Sequence, residues 1–238
     1  MPRRALPLAF VAACLATACA SGGGTPVADG LSADGPHRYS SKRNLLTNWL
    51  PRNQDGTVNV VIEIPAGTSE KWEVNDDGSA LVRDFDGEKP RVIDYLPYPG
   101  NYGLIPRTLL DEDSGGDGGA VDVLVIGPAV PRGTLVRARP IGIIRVVDQL
   151  EQDDKILAVD VRGETLRDVY DLETLDARYP GAITILTTWW AHAHGRQSQV
   201  SLLGTGSRGQ ANAVIDYAAE AWKEVDLESK GELGEVRD

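Results

Sequence analysis

The stretch TLVRARPIGIIRVVD, residues 134–148, with DKILAVDV at 154–161 just beyond a short acidic loop, decides the fold. Both segments are dense in Val, Ile and Leu, and Pro, Gly and Asp mark where each run bends or stops, which is a strand signature. Working outward, the same texture returns in TVNVVIEIP (57–65), EKWEVN (70–75), SALVRDF (79–85) and VDVLVIG (121–127). Short strands with Gly/Pro turns, rather than strands alternating with helices, predict a small closed barrel. The period changes in the C-terminal third. GQANAVIDYAAEAWKEVD (209–226) puts Val214, Tyr217, Ala218, Ala221, Trp222 and Val225 on one helical face, and GAITILTTWWAH (181–192) predicts a helix after Pro180. The expected architecture is α+β, mainly β, with helices packed on the barrel at its C-terminal end.

At 238 residues the chain is long enough for one domain with a sizeable core, expected over 45–230 with a tail at 231–238. Residues 1–19 read as an export signal: Arg3 and Arg4, a short apolar run, then small residues before Cys19. The ATAC pattern resembles a bacterial lipoprotein box in which Cys19 becomes lipidated; cleavage after Ala20 competes, and Cys14 sits in a poorer box. Residues 20–44, rich in Gly, Ser, Ala and Asp, read as a flexible tether from anchor to domain. Both cysteines lie in the leader, so the mature domain has no intramolecular disulfide and depends on its core. A formal charge of −11 argues against a nucleic-acid or anionic-membrane surface. An acidic protein with an anionic ligand needs cations between the two, which directs attention to divalent metals.

The charged residues gather in a pattern. Glu63 interrupts an apolar strand, and Lys71 and Glu73, two apart, point to one side of the next. Asp117 and Asp122 bracket the loop DGGAVD, while Asp148, Glu151, Asp153 and Asp154 crowd the loop before Lys155. In a barrel these could converge on one mouth. Carboxylate oxygens suit hard cations such as Mg²⁺, and Lys or Arg suits phosphate oxygens, so the pattern fits phosphoryl transfer to water. For Glu151 or Asp154 alone, a solvated loop charge is the better reading. DYLPYPGNYGLIP (94–106) sets Tyr95, Tyr98 and Tyr102 among prolines and glycines that fix an irregular path. Tyr95 reads as structural. His192 and His194, without a third ligand nearby, are a weak metal signal.

Four stretches in unbroken order, VVIEIPAGTSEKWEV, YLPYPGNYGLIPRT, DGGAVDVLV and RPIGIIRVVDQLEQDDKILAV, resemble the family I soluble inorganic pyrophosphatases. The resemblance implies a five-stranded closed barrel like the OB-fold with flanking helices, and hydrolysis of pyrophosphate with several Mg²⁺ or similar divalent ions. Carried over by position, it implies Asp117, Asp122 and Asp153 at the tightest metal site, with Asp148 and Glu63 serving further ions. Lys71, Arg91, Tyr102 and Lys155 become substrate-phosphate contacts, and Glu73 and Tyr98 line the same cavity. Arg83 competes with Arg91, which is preferred because KPRV leads into the tyrosine loop. The family often forms hexamers or dimers, which an exposed apolar helix face would permit here. Its signature loop reads Asp-x-Asp-Pro-x-Asp, so Gly119 stands where the family has a general-base aspartate and Ala120 where it has proline. Ala193-His194 falls where a late Tyr-Lys pair is expected, and Gln149 where an acid is frequent. Attenuated hydrolysis is therefore expected, with a catalytically inactive metal- or phosphate-binding envelope lipoprotein as the alternative.

Overall fold

The computed structural model describes residues 25–112, 115–148, 151–193, 195 and 200–235. In chain order its strands are β1 (Leu31–Ala33), β2 (Arg38–Ser41), β3 (Val58–Ile64), β4 (Trp72–Val74), β5 (Ala80–Arg83), β6 (Phe85–Asp86) and β7 (Lys89–Pro90). There follow β8 (Asn101–Leu104), β9 (Asp122–Ile126), β10 (Leu135–Asp148), β11 (Glu151–Gln152), β12 (Lys155–Asp160) and β13 (Ser201–Ser207). The helices among the described residues are α1 (Leu172–Arg178), α2 (Ala182–His192) and α3 (Arg208–Glu235). The fold is mainly β with few helices.

The long strand β10 organises the sheet. Its start lies antiparallel to β3, with Leu135 opposite Val61, and its middle lies antiparallel to β12, with Ile144 opposite Lys155. Its end pairs with β13 and β11. Pro140 has no N–H to give, and the register with β12 shifts between Pro140 and Gly142, which lets the strand bend. β12 runs parallel to β9, β9 antiparallel to β8, and β8 antiparallel to β3. The hydrogen bonding therefore passes β3–β8–β9–β12–β10 and returns to β3. Where β8 crosses β3, a Cβ at Gly103 would lie 1.9 Å from the Val61 carbonyl oxygen, so only glycine fits.

Alternation along the strands feeds two cores. Val123, Val125, Ile156 and Ala158 join Val58, Val60 and Ile62 in one, which α3 covers with Ala211, Ile215 and Ala218. Leu124, Leu157 and Val159 join Leu175 of α1 and Leu186, Trp189 and Trp190 of α2 in the other. The buried face of α3 is thus turned from the one expected: Tyr217 and Val225 are exposed, and small alanines, which carry little hydrophobic signal, make the contact. The helix also runs to Glu235, so the tail expected at 231–238 is helical over most of its length.

The tether expected over 20–44 needs correction as well. Within its described part, β2 pairs with β1 and with β5, placing Tyr39 opposite Leu81. Leu31 and Tyr39 pack with Leu45, Trp72 and Leu81 in a third apolar cluster. Two large apolar residues among many small polar ones suffice to dock this segment on a sheet edge. The leader and Cys19 lie outside the described residues.

Candidate active site

Glu63, Lys71, Glu73, Arg91, Tyr98, Tyr102, Asp117, Asp122, Asp148, Asp153 and Lys155 all line one cavity of about 420 Å³. Sequence reasoning thus named eleven residues that the fold brings together. Asp122 begins β9, Asp148 ends β10 and Lys155 begins β12, so pairing of adjacent strand ends places them at one mouth.

Lys155 is the pivot. Its ammonium is buried and lies 2.5 Å from Asp122 Oδ2, and it also bonds Asp153 Oδ1. Burial alone would lower its pKa, but the two carboxylates hold it raised. Among the described residues no three acids stand as a preformed cation cage. Two of the carboxylates bond the Lys155 ammonium instead. Burial pushes the Asp153 carboxyl up despite Lys155, with Asp122 and Asp117 adding to the rise.

Glu63 is buried in β3 and accepts the Val74 N–H at 2.7 Å. Burial pushes its carboxyl up to about 8, and that hydrogen bond only partly opposes the shift. Lys71 and Glu73 meet at 2.5 Å, as their spacing implied, and Lys71 lies 3.3 Å from Asp84. Asp84 also accepts from Arg91 at 3.1 Å. It orients both cations toward the cavity, yet nothing in SALVRDF distinguished it in advance. Arg83 faces elsewhere: it pairs with Glu70 at 2.6 Å and borders a separate cavity, so Arg91 is the arginine on the acidic one.

The tyrosine loop is pinned from two sides. Trp189 Nε1 donates to the Leu96 carbonyl at 2.8 Å, and buried Asn101 accepts from the Ala66 and Val130 N–H groups. Tyr98 lies 4.7 Å from the Trp189 ring, and Tyr102 lies 5.5 Å from that of Trp190. Burial, then the charge of Asp122, pushes both phenols well above their ordinary range, so they remain hydrogen-bond donors. Tyr95 is exposed and does not border the cavity.

In the loop DGGAVD, Asp117 Oδ1 accepts the Gly119 N–H at 2.9 Å, and the Gly119 carbonyl accepts from Leu110 at 2.7 Å. Gly119 and Ala120 line the cavity and bring no charge to it. A Cβ at Gly119 would stand 3.1 Å from Asp117 Oδ1, so a side chain enters with a small local shift. Asp154 turns the other way, to Arg145 at 2.8 Å and the Val146 N–H at 3.0 Å, and is structural. Ala193 is buried at the end of α2; His194 and Gln149 lie outside the described residues.

The family model described as inorganic pyrophosphatase matches residues 60–223. The chain belongs to the inorganic pyrophosphatase family. Among its relatives, the inorganic pyrophosphatase of Gluconobacter oxydans is 45% identical over 169 residues, covering 70% of this chain and 91% of that one. That of Nostoc is 30% identical, covering 71% of this chain and 93% of its own. The solved pyrophosphatase of Helicobacter pylori aligns with a TM-score of 0.63 at 26% identity, over 74% of this chain and 98% of that one. The type I enzyme of P falciparum shares the fold, with a TM-score of 0.71 at 21% identity over 84% and 71% of the two chains. The family match spans every residue of the acidic cavity and begins after β1 and β2, which the pyrophosphatase model does not cover.

Proposed function

We propose that this chain hydrolyses inorganic pyrophosphate to two phosphates with divalent cations such as Mg²⁺, at a rate reduced by the glycine at 119. The observation that carries this reading is the cavity itself, where six acids, two lysines, an arginine and two buried tyrosines converge in a chain of the pyrophosphatase family. The acids fit hard cations. They offer oxygen donors only, and burial holds the carboxyls of Glu63 and Asp153 above their ordinary range. Asp117, Asp122 and Asp153 would hold the tightest ion, with Asp148 and Glu63 serving others. Such ions supply acidity to an attacking water and shielding to the leaving phosphate.

The chain's own residues do the rest. Lys71, Arg91 and Lys155 neutralise non-bridging phosphate oxygens, and Tyr98 and Tyr102 donate hydrogen bonds from protonated phenols. No side chain at 119 can accept a proton from the attacking water. General-base assistance is worth about 10²–10⁴-fold, so its loss slows hydrolysis without abolishing it. The test is phosphate release from Mg²⁺-pyrophosphate by the chain without residues 1–20, beside Gly119→Asp/Ala120→Pro. Turnover that rises in the repaired loop is expected. Binding without turnover in both proteins would favour an inactive metal- or phosphate-binding protein.

We also infer that the five-strand circuit is a closed OB-like barrel, that the chain is exported and lipid-anchored at Cys19, and that it self-associates. The pairing of β10 with both β12 and β3 supports the first. The basic, apolar and small-residue order before Cys19 supports the second. Exposed Tyr217, Val225 and Leu227 on α3 support the third. Mass spectrometry of the mature N-terminus and light scattering test the last two.

A further inference from the structure

Beside the acidic cavity, and separated from it by Trp72, lies a second cavity of about 320 Å³ bordered by Arg83, Arg132, Glu70, His37, Tyr39 and Thr25. Two arginines are buried there in a protein whose net charge is −11. Arg132 stacks on Trp72 with its guanidinium carbon 4.5 Å from the ring centre, and Arg83 lies 5.7 Å from the same ring. Among the described residues Glu70 is the one acid on this cavity, 2.6 Å from Arg83 and 3.7 Å from Arg132. Among the described residues, Arg83 Nε and Arg132 Nη2 are buried without a hydrogen-bond acceptor. Burial lowers the Arg132 pKa to about 10, with Glu70 opposing the shift. Two desolvated guanidiniums sharing one carboxylate leave a positive charge unmatched and donors unused, an arrangement that stores affinity for an oxyanion.

We propose that this cavity is a second, metal-independent binding site for a phosphate group. It is distinct from the pyrophosphate site and does not rest on the hydrolytic reading. Its outer wall comes from Thr25, Pro36, His37 and Tyr39, all before the segment that the pyrophosphatase model matches, while Glu70, Trp72, Arg83 and Arg132 lie within that segment. The N-terminal segment also clamps Arg132, whose backbone N–H donates to the Pro26 carbonyl and whose carbonyl accepts from the Ala28 N–H. Arg132 also grips β3, because its Nη1 donates to the Glu63 main-chain carbonyl. Two sources share the ligand chemistry: free inorganic phosphate, or the phosphodiester of an anionic lipid near the point where the chain continues toward its N-terminus.

The test uses the chain without residues 1–20, so that no lipid anchor contributes to flotation, in EDTA, where the acidic cavity is without cations. Binding of radiolabelled inorganic phosphate is measured by equilibrium dialysis, and flotation is measured with vesicles of phosphatidylglycerol or of phosphatidylcholine. Saturable phosphate binding at one site per chain, weakened about tenfold or more in Arg83→Gln, supports the free-phosphate source. Flotation with phosphatidylglycerol alone, lost in Arg83→Gln, supports the lipid source. Glu70→Gln removes the competing carboxylate and is expected to tighten whichever binding is seen, the opposite of what loss of a merely structural ion pair would do. No binding of either probe, or binding equal in wild type and Arg83→Gln, overturns the proposal. Circular dichroism confirms that each variant is folded.

Discussion

The strand-borne wall of the acidic cavity, Asp148 to Lys155, and its loop-borne wall, Asp117 to Asp122 with the tyrosine loop, are held by different forces. On the strand side a buried ammonium lies between Asp122 and Asp153, anchored on a strand whose side chains are buried throughout. On the loop side single hydrogen bonds do the positioning: Gly119 to Asp117, Leu110 to Gly119, and Trp189 to Leu96. Charge in low dielectric is strong but leaves a large debt when one partner is removed, whereas a neutral hydrogen bond is modest and local. The strand wall should therefore fail abruptly and the loop wall by degrees. It is the loop wall that carries Gly119, which brings no charge to the cavity.

The sharpest way to break the contrast is Lys155→Met, since the ammonium holds Asp153 within the strand wall and Asp122 where the loop wall opens into β9. Removing one partner of a buried ion group costs about 3–5 kcal/mol, because Asp122 and Asp153 are left facing each other. Urea denaturation in EDTA should show that loss, and Mg²⁺ should recover part of it by supplying the missing positive charge. Asp154→Asn, one residue away but turned toward Arg145, should destabilise by about 1–3 kcal/mol without changing the KM for pyrophosphate. Equal losses for the two variants with no Mg²⁺ effect would mean that the ammonium only packs.

Glu63→Gln probes the same wall through pH. The Glu63 carboxyl is raised from 4.5 to about 8 in the fold, so the folded state holds the proton more tightly than the unfolded chain does. Its stabilising contribution is full below pH 4.5 and is lost as pH rises through about 8. In EDTA the wild type should lose stability across that window relative to Glu63→Gln, on the order of a few kcal/mol. Saturating Mg²⁺ should flatten the difference. Parallel pH profiles in EDTA would show that the buried acid already has its countercharge.

The contrast between the walls also explains what the sequence could reveal. A strand has period two, so an acid in an apolar run or a lysine opening one has its direction set by the backbone, and Glu63, Lys71, Glu73 and Lys155 were legible. The tyrosine loop was legible because Pro and Gly dictate its path. Asp84 and Arg132 were not, since their importance comes from partners distant in the chain, Lys71 and Arg91 for one, Trp72 and the Glu63 carbonyl for the other. The strands at 31–41 were hidden by their polar, short composition. The short helix α1 gave only a weak signal, its capping box closing with Thr174 rather than Glu or Gln.

Adjacent tryptophans measure the loop wall at smaller scale. Trp189 spends its N–H on the Leu96 carbonyl, while the Trp190 N–H is buried without a partner among the described residues. Phenylalanine at either site removes similar ring volume, but only at 189 does it also leave a carbonyl unpaired. Trp189→Phe should therefore be less stable than Trp190→Phe by about 1 kcal/mol in urea denaturation, and it should raise KM by freeing the tyrosine loop. The reverse order would mean that ring packing, not the hydrogen bond, fixes Tyr98.

The smallest effect separates two explanations for any gain on repairing the loop. Gly119→Asp brings a carboxylate, but it also brings a Cβ that narrows the conformations of the unfolded chain. Gly119→Ala brings the Cβ alone. Gly→Ala at a compatible backbone gains about 0.4–1 kcal/mol. Here the new carbon meets Asp117 Oδ1 at 3.1 Å, close enough to offset that gain, so stability should change by less than about 1 kcal/mol. Phosphate release by Gly119→Ala should match wild type, while Gly119→Asp exceeds it. If alanine accelerates turnover as much as aspartate does, stiffness rather than basicity is what the loop lacks. The weakness of this wall would then lie in its entropy, with proton transfer handled elsewhere in the cavity.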